Sequence, residues 1–149
     1  MAGKDKIERG FRLLFDDSTT PRDLSASLMP GSVSGGGFVF DEVEVTGVSD
    51  TVKQYLAGHP DAKISARFIF SDKATTGSFT VLMGMEGKVG TLTLRWGING
   101  AAPTTDDPEW EGEYVLTQAN VSADGGKLVI DAAWAPGSAT PPAWGTVSA

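Results

Sequence analysis

The residues able to do chemistry are few and badly placed for it. The single histidine, His59, lies in Gly58-His59-Pro60-Asp61, a run of turn formers. A serine hydrolase built on it would need a nucleophile elbow, and no Gly-x-Ser-x-Gly occurs. Carboxylates pair at Asp16-Asp17, Asp41-Glu42, Asp106-Asp107 and Glu111/Glu113, and two carboxyls at the right separation suffice for glycoside hydrolysis. Adjacent acids in turns, however, read as solvated surface. Asp106-Asp107-Pro108-Glu109 offers oxygen ligands for calcium without the spacing of an EF-hand loop. Gly84, Gly87 and Gly90 lack the context that cradles phosphate, so they read as turn glycines. With no cysteine, thiolate metal sites, disulfides and thiol nucleophiles are excluded. The reading is therefore of a chain with no catalytic, cofactor-binding or metal residues.

Four tryptophans remain. Aromatic faces can stack on sugar rings, which keeps a carbohydrate-binding module in view. Trp96, Trp110 and Trp134 sit at strand ends, where packing in or around a core is the simpler role. Trp144 lies among Pro, Gly and Ala with nothing local to bury it, so it reads as a docking anchor for another chain.

The elements that would position these residues are mostly short strands. A chain of 149 residues supports one core, and its 19 glycines, about 13% against a usual ~7%, favour turns over long helices. Alternation predicts strands at residues 11–15, 38–45, with a bulge at Asp41-Glu42, 62–70 and 88–96. Phe79, Leu82 and Met83 recur at helical spacing and predict a helix over 76–85. Residues 110–119 and 126–134 form a predicted hairpin, joined by 120–125. Residues 22–28 read as a short strand, and 29–37, with Pro30 and four glycines, as a flexible loop. Residues 46–61 read as a long connection, of the kind that serves function or interfaces. Residues 1–10 and 135–149 read as arms flanking a domain at 11–134.

The net charge of −7 opposes a tight grip on phosphate backbones. No apolar run approaches bilayer length, so a soluble protein without a membrane partner is expected, and no cleavable export signal is indicated.

Read in order, Arg12-Leu13-Leu14-Phe15-Asp16, Asp23-Leu24-Ser25-Ala26-Ser27-Leu28, Phe40-Asp41-Glu42-Val43-Glu44-Val45-Thr46-Gly47, Lys53-Gln54-Tyr55-Leu56-Ala57-Gly58 and Asp61-Ala62-Lys63-Ile64-Ser65 resemble the major tail (tail tube) proteins of long-tailed bacteriophages. The match spans residues 11–70 and continues beyond them by layout. It departs at the loop of Gly31 to Gly37 and at His59-Pro60. The resemblance implies a mainly β, sandwich or barrel-like tail-tube domain with one short flanking helix. It also implies homo-hexameric rings stacked into a tube that resides in the virion tail and is assembled in the bacterial cytoplasm. The implied partners are other copies, the tape measure protein, and the tail terminator and distal tail proteins. Viral DNA would pass without specific binding, and an acidic lumen would repel it. Interface residues expected on this basis are Thr46, Gly47, Val48, Tyr55, Leu56, Gly58, His59 and Trp144. Another tail or neck component, such as a terminator or a decoration protein, is the nearest alternative.

Overall fold

The computed structural model describes residues 8–97 and 100–148. It contains nine strands: β1 (Phe11–Asp16), β2 (Pro21–Asp23), β3 (Val39–Glu44), β4 (Tyr55–Asp61), β5 (Ile64–Ile69), β6 (Val89–Trp96), β7 (Pro108–Asp124), β8 (Lys127–Pro136) and β9 (Ala143–Thr146). One short helix, α1 (Ser78–Gly84), lies between β5 and β6. Seven strands form one sheet in the order β2-β1-β6-β7-β8-β5, with β9 beside β7, while β3 and β4 pair only with each other. The chain leaving β2 crosses to the far end of this sheet, where Leu28 bridges Phe68 and Ser34 bridges Ser65. This closure gives the barrel-like, mainly β architecture that the glycine-rich, alternating sequence predicts.

Alternation decides which strands line the interior. Phe11, Leu13 and Phe15 of β1 are buried, as are Ile64, Ala66 and Phe68 of β5 and Leu92 and Leu94 of β6. In β7 the buried positions Trp110, Tyr114 and Leu116 give way to Ala119, because a bulge between Leu116 and Gln118 shifts the phase by one residue. Helix α1 closes the core with Val81 and Leu82, followed by Met85. Trp110 and Trp134 are fully buried, in keeping with a core role, and Trp96 packs against the cluster.

On the outer face β6 and β7 carry a polar ladder. Thr91 donates to Glu113 (2.6 Å), Thr93 to Glu111 (3.1 Å) and Arg95 to Glu109 (2.6 Å). Across β5, β8 and β7, Arg67 pairs with both Asp131 (2.7 Å) and Asp124 (2.9 Å).

The core holds one polar relay. Trp110 Nε1 donates to the Tyr114 hydroxyl (2.9 Å), which donates to the Ala62 carbonyl (2.8 Å). Burial pushes the Tyr114 phenol above its ordinary range, opposed by the bond from Trp110. Tyr114→Phe strands a buried N–H and a buried carbonyl together. It should cost about 1–3 kcal/mol in urea denaturation, and a loss below ~0.5 kcal/mol would contradict the relay.

The β1–β2 turn is organised by Asp17, whose carboxylate accepts from Arg22 Nε (2.6 Å), Thr20 N (2.9 Å) and Thr19 N (3.1 Å). These bonds, that from Arg22 first, hold the carboxyl well below the usual aspartate range. A depressed folded-state value stabilises fully above the unfolded value of about 3.9 and is lost as pH falls through the folded one. NMR titration should find Asp17 protonating at lower pH than an unpartnered aspartate; an ordinary midpoint would refute the turn geometry.

Several segments differ from expectation. Residues 46–61 are not one connection, since Tyr55–Asp61 is a strand; Gly58 and Pro60 mask it in the sequence. The ribbon of β7 and β8 runs on to Asp124 and Lys127 rather than ending near residue 119, and Gly125 (φ 60°) and Gly126 (φ 85°) alone make the turn. Of the expected C-terminal arm at 135–149, the described residues 135–148 do not hang free. β8 extends to Pro136, β9 pairs with residues 108–111 of β7, and Val147 is buried with its N–H on the Asp107 carbonyl (2.9 Å). The loop at 29–37 is likewise pinned, by Met29 N to Arg67 O and by the Ser34–Ser65 pair (each 2.9 Å). Residues 1–7 of the expected N-terminal arm lie outside the described residues, and 8–10 form a 3-10 turn.

Candidate functional site

The carboxylates singled out by sequence do not converge. Asp17 serves its turn, Glu111 and Glu113 bond threonines across strands, and Asp107 accepts from Thr104 N (2.9 Å). Among the described residues no group of three or more His, Asp or Glu is placed to hold a metal. A depression of about 460 Å³ beside Met29, Ser32, Arg67 and Asp131 holds an arginine already paired with two carboxylates. No described helix is long and apolar enough to cross a membrane.

The feature without an internal explanation is the β3–β4 hairpin. Val43 faces Leu56, Glu44 faces Tyr55 and Glu42 faces Ala57, so one side of the ribbon is apolar and the other mixed. Its register shifts between Phe40 and Glu42, where the break in alternation predicts a bulge. The connecting loop is ordered by Gln54 N on Thr46 Oγ1 (2.9 Å) and Gly47 N on Asp50 Oδ2 (2.7 Å). Every residue of β3 is exposed, and in β4 only Gly58 is partly covered. Val39, Phe40, Val43, Val45, Val48, Val52, Tyr55 and Leu56 all face solvent, Leu56 at 60%. An isolated two-stranded ribbon is marginal in water, and so many exposed apolar side chains on one hairpin make it the candidate contact surface.

Seven of the eight expected interface residues fall on this one hairpin: Thr46, Gly47 and Val48 in its loop, and Tyr55, Leu56, Gly58 and His59 on β4. Trp144 stands on β9, 55% exposed. It is not the free anchor its neighbours in sequence suggest. Its ring packs on Trp96 (5.3 Å between centroids) and edge-on to Trp110 (5.1 Å). Trp110 in turn meets Phe38 (5.2 Å), which meets Phe40 at 6.0 Å. A run of aromatic rings therefore ties the hairpin base to the barrel. Trp110 and Trp134, being buried, are not available to stack on a sugar. Sequence reasoning missed Phe38, Phe40 and Val43 as site residues, because strand alternation alone assigns them to a core.

The sequence matches no protein-family model and no curated protein. Solved structures do match. A chain from the virion of a native gene transfer agent particle superposes with a TM-score of 0.68 and 16% identity, covering 96% of this chain and 99% of that one. The chain shares its fold with particle components. A second likeness, with a TM-score of 0.63, 19% identity and 99% coverage of both chains, is to the tail of an empty gene transfer agent particle with C6 symmetry. A third is to the six-fold symmetrised baseplate of the anti-feeding prophage, at 0.63 and 11% identity over 93% of each chain.

Proposed function

We propose that this chain is a structural protein of a phage-type tail: six copies form a ring, and rings stack into the tube that conducts DNA. The observation that carries the reading is the end-to-end likeness to a chain of a C6-symmetric tail. The exposed hairpin supplies the surface such a ring requires, since an apolar ribbon stable only when covered is a natural subunit contact. The net charge of −7 suits a conduit that must not retain nucleic acid. The virion tail is then its location, and the tape measure, terminator and distal tail proteins its further partners.

Negative-stain electron microscopy and light scattering over a concentration series test this directly. Hollow six-fold rings that stack into tubes are expected. Rings that never stack would favour a terminator, and a monomer at every concentration would overturn the proposal.

A further inference from the structure

Unpaired strand edges are templates for another chain, and natural proteins blunt them with proline, lysine or brevity. In this fold most edges are blunted. β2 spans only Pro21–Asp23 and β9 only Ala143–Thr146, β4 carries Gly58 and Pro60, and the outer edge of β5 is taken up by Leu28, Met29 and Ser34. Two edges are not. The first is β3, which is free of proline and bonded only to β4. The second lies in β7: its pairing with β6 ends at Val115, and Glu86 bridges Leu116. Beyond that, residues 117–124 have a strand on the β8 side only.

These two edges complement each other. Within 117–124 every residue but Ala119 is exposed, and Asp124, the one charged residue, is held by Arg67. Lys88 and Lys127, both exposed, flank the stretch. β3 presents Asp41, Glu42 and Glu44. Two different unsatisfied edges on one chain make a heterologous contact, which repeats from copy to copy and closes into a ring when the rotation permits.

We propose that residues 117–124 of β7 receive β3 of a second copy edge to edge, joining the two sheets across the subunit boundary. This rests on the ring reading above and names the contact that builds the ring. Backbone hydrogen bonds would then supply the join, as in other strand-addition complexes, and the apolar side chains of the hairpin would be covered as it docks.

Because the chain has no cysteine, disulfide trapping has no background. A Glu42→Cys chain is mixed with Gln118→Cys, Asn120→Cys or Ser122→Cys chains to span the register, assembled reduced and then oxidised. A disulfide-linked dimer is expected in at least one mixture and in none of the variants alone. Hydrogen exchange on the unmodified protein gives a second readout, with amides of 39–44 and 117–124 slowing at least tenfold between monomer and ring. Rings seen by microscopy without cross-link in any mixture and without added protection would overturn the edge contact while leaving the tube reading standing. Failure of the unmodified protein to form rings would overturn both.

Discussion

Trp110→Ala is expected to lower unfolding stability by about 3–5 kcal/mol, the range for removing a large aromatic side chain from a packed core. Three losses coincide at this position. The ring is fully buried, its N–H satisfies Tyr114, and its faces and edge receive Phe38 and Trp144. At about 2–4 °C per kcal/mol for a chain of this size, the midpoint should fall by roughly 6–20 °C. Trp110→Phe keeps an aromatic ring, losing the donor and part of the ring volume, and should cost less than alanine. Urea denaturation followed by circular dichroism decides the matter: a loss under ~1 kcal/mol for alanine would mean that the relay and the aromatic run do not hold the hairpin base.

Val43→Thr combined with Leu56→Lys should do the opposite, leaving the monomer intact and abolishing the proposed ring assembly. Both side chains project from the exposed ribbon, so neither removes core packing, and exposed substitutions ordinarily stay within about 0.5 kcal/mol. In a ring contact each buried aliphatic side chain is worth about 1.5–3 kcal/mol. Losing two therefore weakens every contact by at least ~100-fold, at tenfold per 1.4 kcal/mol. Sedimentation velocity should show a single small species with an unchanged thermal midpoint. Wild-type rings from this variant would remove the apolar face from the interface.

Where burial is one-sided the sequence states the structure openly. β1, β5 and β6 alternate because one face meets the core and the other meets water, and α1 shows its stripe for the same reason. The ribbons are illegible for the converse reason. In β4 and in residues 120–124 both faces are exposed, no alternation is enforced, and composition suggests loop. β9 is hidden by Pro141 and Pro142 just before it and by Gly145 within it, and Trp144 reads as unburied because its partners Trp96 and Trp110 are distant in sequence. The hairpin as a proposed contact surface is legible through the resemblance, the broken periodicity and the reading of 46–61 as a long connection; its exposure follows only from the three-dimensional structure.

The pairing of β1 with β6 sets Phe11 opposite Trp96 and Phe15 opposite Leu92, a separation of about 80 residues that places the barrel among slow, high-contact-order folds. The hairpins close locally and form early, while the closure that hides Phe11, Leu13 and Phe15 must wait for the search across the whole span. Sticky edges are thus displayed before the body that orients them is complete. Nascent chains at high concentration face a race between intramolecular closure and premature association, and dilution or slower synthesis should raise the yield of correctly folded chains.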